Sequence, residues 1–188
     1  MKGISAQSSK AVILAALGFA VLFAASAAWA EANFHGTVTI TLDTSGANIC
    51  DLTASGIDES GLGFTNVTYV LSADAKLGKA CQNNGGNFPS DPKKQGSAGA
   101  VQGDQTVQVK NGRVRGASVT IDIDDPTTGI PVPLTCPGGQ KAVVVCCSYQ
   151  NIRLTDTTSD PDIDATVSTT SASFTLSGAP ASTTALCQ

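Results

Sequence analysis

Apolar residues recur at every second position in several short runs of this chain. Val38, Ile40 and Leu42 alternate with threonines between Gly36 and Leu42, and Val67, Tyr69 and Leu71 repeat the period. Val119, Ile121 and Ile123 do so again, with Asp122 and Asp124 turned outward. A period of two is that of a strand with one buried face. Ala142 to Leu154 is longer and more apolar, as a central strand requires, and Ala165 to Leu176 makes a last Thr/Ser-rich strand. The pattern predicts seven to nine strands and no helix. Lys110-Asn111-Gly112-Arg113 predicts a hairpin, because Asn-Gly accepts the positive φ values of a two-residue type I′ turn. That turn would place Val109 and Val114 on one face, yet Val119, Ile121 and Ile123 have the opposite parity to Val114, so Gly116 is the expected bulge. Long loops are expected from Cys81 to about Ala100 and, through Pro126, Gly129, Pro131 and Pro133, up to Cys136-Pro137-Gly138-Gly139. Strands with one buried face between such loops predict an all-β, antiparallel two-sheet sandwich, immunoglobulin-like in topology. The Cys, Trp, Cys spacing of antibody domains is missing, which leaves a jelly roll or small barrel as the alternative architecture.

The first thirty residues carry a different pattern. Lys2 and Lys10 precede a fifteen-residue apolar run from Ala11 to Ala25, and Ala28-Trp29-Ala30 presents small residues where a signal peptidase reads them. Residues 1–30 are therefore expected to be a cleaved signal peptide and residues 31–188 a single domain. The apolar run falls short of the roughly 20 residues that span a bilayer, so no membrane insertion is expected after cleavage. The product is expected outside the cytoplasm, secreted or periplasmic. Removing Lys2 and Lys10 leaves nine basic side chains against fifteen acidic ones. That balance argues against nucleic acid or an anionic membrane as partner.

All six cysteines, Cys50, Cys81, Cys136, Cys146, Cys147 and Cys187, follow the expected cleavage site. In an oxidising compartment an even count predicts disulfides, here three bridges chosen from fifteen connectivities. Zinc is disfavoured, because no C-x-x-C pair occurs and His35 is the sole imidazole. Cys146 and Cys147 are adjacent in a predicted strand, so they point to opposite faces and take different partners.

From Gly61 to about Thr158 the chain resembles a group of uncharacterised secreted bacterial β-sandwich proteins. The matching stretches are Gly61-Leu62-Gly63, Ala80-Cys81-Gln82-Asn83-Asn84-Gly85-Gly86-Asn87, Lys110-Asn111-Gly112-Arg113-Val114, Thr135-Cys136-Pro137-Gly138-Gly139-Gln140 and Ser148-Tyr149-Gln150-Asn151-Ile152, followed by Thr155-Asp156-Thr157-Thr158. The resemblance implies a secreted sandwich in which Cys81 and Cys136 pair, and it brings no catalytic residue or ligand. Cys50 and Cys187 would then take Cys146 and Cys147 between them, in an order left open. A shorter stretch, Gly36-Thr37-Val38-Thr39-Ile40 with Cys50 ten residues beyond, is similar to the opening of chaperone–usher pilin subunits, although the aromatic ending of pilins is absent. That similarity implies polymerisation by donor-strand exchange.

Candidate chemistry is sparse. Asp160, Asp162 and Asp164 form a D-x-D-x-D run that could hold calcium, though Ala165 and Ser171 stand where an EF-hand needs Gly and a bidentate acid. The competing reading is a solvated acidic turn. His35 has no neighbour in sequence that would make it a general base, and no G-x-S-x-G elbow occurs. Asn66-Val67-Thr68 matches a glycosylation acceptor inside a predicted strand, and Gly85-Gly86 and Gly138-Gly139 read as turns and not as phosphate cradles. No catalytic residue and no resident cofactor are assigned. The expected function is a non-enzymatic structural or interaction protein of the cell surface, its partner a protein or a surface glycan, with self-assembly possible. The alternatives are a pilin-like subunit and a hydrolase whose site the sequence does not mark.

Overall fold

The computed structural model describes residues 31–188 except residue 64; the expected signal peptide lies outside the described residues. Nine strands among them form two antiparallel sheets. In the first, β3 (Leu52–Ser60) has β6 (Arg113–Ile121) on one edge. On its other edge β1 (Asn33–Phe34) and β2 (Thr39–Leu42) lie end to end. In the second, β4 (Asn66–Asn83) sits between the edge strand β5 (Lys94–Gln108) and β7 (Gln140–Asp156), and β8 (Ile163–Asp164) and β9 (Ala172–Thr175) line the far side of β7. This is an immunoglobulin-like, disulfide-stapled sandwich. Its core is mostly aliphatic, with Leu52, Ile57, Leu71, Leu77, Ile121 and Leu154 fully enclosed between the sheets alongside Tyr69 and Tyr149.

The two sheets are joined at one edge by the segment just ahead of β2. Between β8 and β9 the chain leaves β7, and Val167 makes a parallel bridge to Val38. The Val38 N–H donates to the Thr166 carbonyl at 2.8 Å, and the Ser168 N–H donates to the Val38 carbonyl at 2.8 Å. Val38 is 2% exposed, so a residue at the head of the domain is part of its core. The strand expected over Ala165 to Leu176 is therefore shortened to β9, because the residues around Val167 bridge to the other sheet.

The Asn-Gly turn is present, with Asn111 at φ 53° and Gly112 at φ 71° and reciprocal bonds between Lys110 and Arg113. The hairpin expected from it is corrected: pairing stops at that one bridge, because β5 continues along β4 while β6 pairs with β3 in the other sheet. Gly116, at φ 64°, is the bulge that brings Val114 and Val119 onto the same buried face, and Gly56 on β3 answers it. The loop expected from Cys81 to Ala100 is also shorter than its composition suggests. β5 begins at Lys94, and its Gly96, Ser97, Ala98, Gly99 and Ala100 form a strand despite a turn-like composition, each in register with β4. Among the described residues helix is confined to short pieces, Gly46–Asn48 and the consecutive Ala181–Thr184 and Ala185–Cys187.

Candidate functional site

Successive residues of a strand alternate between faces, so Leu71, Ala73, Ala75 and Leu77 of β4 enter the core while Ser72, Asp74, Lys76 and Gly78 face outward. Their ladder partners extend these outward residues into rows across three strands. Gln102, Ser72 and Arg153 form one row, Ala100, Asp74 and Gln150 the next, Ala98, Lys76 and Ser148 the third, and Gly96, Gly78 and Cys146 the last.

The last row is covered. Cys146 turns outward to bond Cys187, while its neighbour Cys147 turns inward to bond Cys50. The first of these bridges holds the closing segment on the outer face, where Leu176, Ala179 and Leu186 pack over Ala80 and Val145 in a second, smaller apolar cluster. Glycine is required beneath it, since a Cβ at Gly78 would stand 2.7 Å from the Cys146 Sγ and 3.1 Å from the Leu186 Cβ. Cys81 and Cys136 form the third bridge, and no cysteine is free.

The other rows are open and concave. Two cavities of about 310 and 350 Å³ adjoin at Asp74 and Ala100. The covering segment borders them, because the Ser148 hydroxyl donates to the Cys187 carbonyl at 3.0 Å and the Lys76 ammonium donates to the Gln188 carbonyl. The register of β7 slips at their far side, where Asn151 and Ile152 oppose Ala73 alone. Asn151 takes φ 54°, and its Nδ2 donates to the Asp74 Oδ2 at 2.7 Å. A bulge with a left-handed non-glycine residue re-aims a side chain at a conformational cost, a combination that is over-represented at functional sites.

A cleft of about 560 Å³ lies under the Asn111–Gly112 turn, edged by Lys110, Arg113 and Arg115. It is the wedge left where β5 and β6 part toward different sheets, and Arg113 leans from it toward Asp58 at 3.7 Å. At the same end, Glu59 of β3 and Asp156 of β7 are fully buried between the sheets. The Tyr69 hydroxyl donates to the Glu59 Oε2 at 2.8 Å, and the Ser159 hydroxyl donates to the Asp156 Oδ2 at 2.5 Å. Burial pushes the Glu59 carboxyl up to about 7; the Tyr69 bond opposes this, and the Asp156 carboxylate adds to it. Burial likewise raises the Tyr69 hydroxyl.

The sequence-marked candidates fall elsewhere. The Asp160, Asp162 and Asp164 carboxylates do not converge, and no group of three metal-ligating side chains forms among the described residues. Asp164 instead accepts from Thr155 and Arg153, which hold its carboxyl below the usual range. The calcium expectation therefore fails on geometry, because the third carboxylate is already spent on β7. The His35 Nε2 lies 2.5 Å from the Ser60 hydroxyl, both exposed at the sandwich end. Asp74 and Asn151 were not singled out by sequence reasoning. Asn151 lies inside the stretch Ser148 to Ile152, but neither the bulge nor its positive φ has a signature in residue order.

No family model, curated protein or solved structure matches this chain. Three disulfides fit an oxidising, non-cytoplasmic setting. Among the described residues no helix is long and apolar enough to cross a membrane.

Proposed function

We propose that the processed chain is a secreted or periplasmic interaction module of the cell surface, non-catalytic, and that it engages its partner through the open outer face of the five-stranded sheet. The observation that carries this reading is the contrast within that face. One part is sealed by a disulfide-held segment, while the adjoining part keeps a concavity with a small-residue floor and a polar rim beside a left-handed Asn151. Bulges and left-handed non-glycine residues are over-represented beside functional sites, and this one opens onto the outward face and not into the core.

The test is fractionation of expressing cells followed by binding of the labelled, processed protein to washed cell envelopes. The expected result is a product starting at Glu31 outside the cytoplasm, whose envelope binding is lost on Ala98→Arg, a substitution that fills the concavity. A full-length cytoplasmic product, or binding indifferent to Ala98→Arg, would overturn the reading.

A further inference from the structure

We infer that the groove over Asp74 and Ala100 receives a neutral, hydroxyl-rich polysaccharide chain, an inference that rests on the interaction-module reading and names its partner. The first argument is the floor. Ala98 and Ala100 present nothing larger than a methyl group, and Gly99 between them adds no side chain. Such a floor accepts the flat C–H face of a sugar ring and offers no deep pocket for the large apolar anchors on which protein interfaces depend.

The second argument is the rim. Asp74 contributes a carboxylate, Gln102, Gln150 and Asn151 contribute amides, and Ser72 and Ser148 contribute hydroxyls. A sugar hydroxyl both donates and accepts, so it is matched by a planar set that mixes acceptor-only carboxylate with donor-and-acceptor amides. The Asn151–Asp74 bond holds two of these groups in place before any ligand arrives, which lowers the ordering cost of binding. The cavities adjoin, so the site is elongated and suited to successive units of a chain.

Charge decides against other occupants. Asp74 and Lys76 are the charged groups lining the groove and oppose one another, the Lys76 ammonium is already engaged by the Gln188 carbonyl, and Arg153 in the adjoining row is paired with Asp164. A nucleic acid or polyuronate would meet the Asp74 carboxylate with no free cation to offset it. Strand addition by a peptide would use the outer edge of β5 and not the outward face, beneath which β4 is paired on both sides.

The experiment is native electrophoresis of the processed protein through gels that each contain one polysaccharide: a β-glucan, a mannan, a galactan, a xylan, and alginate as the polyanion. Retardation in at least one neutral gel is expected. Asp74→Ala and Asn151→Gly should each weaken it about tenfold or more, and Ala98→Arg should abolish it. Gly at 151 keeps the left-handed backbone and removes only the amide, so a folding defect does not imitate this result, and circular dichroism checks each variant. No retardation in any neutral gel, retardation in alginate alone, or retardation that survives Ala98→Arg would overturn the inference. Envelope binding that remains sensitive to Ala98→Arg while every neutral gel is negative removes the glycan and leaves the interaction module standing; loss of both removes both.

Discussion

Glu59 is a carboxylate in the place of a core residue, directly across from Val114 and fully buried. Its Oε1 meets no hydrogen-bond donor, while Oε2 is held by Tyr69. A proton on the Glu59 carboxyl relieves both the burial of charge and the repulsion from Asp156 across the sheets, which is why its pKa rises from 4.5 to about 7. The folded state thus keeps a proton that the unfolded chain releases as pH climbs from 4.5 to about 7. Stability contributed by this group is complete below that window and lost through it, at most about 3 kcal/mol. Asp51, raised by burial to about 6, acts in the same direction over a lower window. Melting temperatures measured between pH 5 and pH 8 should fall for the parent protein and stay flatter for Glu59→Gln, which carries a permanent neutral stand-in for the protonated acid. An equally steep fall in the variant would place the proton elsewhere. None of this was legible in the sequence, where Glu59 lies between Asp58 and Ser60 and reads as surface. The adjacent cysteines were legible, because strand alternation alone dictates that Cys146 and Cys147 face apart.

Among the elements, those with a clean period of two could be read directly, as around Val67 to Leu71, and β7 was legible from its long apolar run. β3 was hidden because Gly56 interrupts its alternation and a buried acid closes it. β5 was hidden because small residues suit both loops and a floor approached by other groups, and order along the chain does not separate these. The covering segment is a further element without a periodic signal, held by the Cys146–Cys187 bridge across 41 residues. The chain-entropy estimate gives that bridge about 4 kcal/mol. Replacing both cysteines with alanine should free the segment after Leu176 to limited proteolysis while the fragment carrying both sheets resists. Digestion of the whole domain at the same rate would make the covering segment part of the cooperative core.

At the scale of the molecule, the segment leading into β2 is shared between the sheets through Val38. Deleting residues 31–43 removes that buried valine and the pairing of β1 and β2 with β3, so the truncated protein should lose more than about 3 kcal/mol in denaturant unfolding. Unchanged stability would mean that the strand is an extension and not a member of the domain. The paired cysteines carry a different consequence, in how the molecule bears tension. Cys50 bonds Cys147, the peptide bond joins Cys147 to Cys146, and Cys146 bonds Cys187, which makes a continuous covalent track from one end of the domain to the other. A pull applied at residue 31 and at Gln188 travels along that track and bypasses the 97-residue span between Cys50 and Cys147 altogether. Single-molecule stretching should therefore extend little more than the residues ahead of Cys50 until a reductant is added. After reduction the sheets should unravel with a large gain in contour length, and a large gain before reduction would show that the load takes another route.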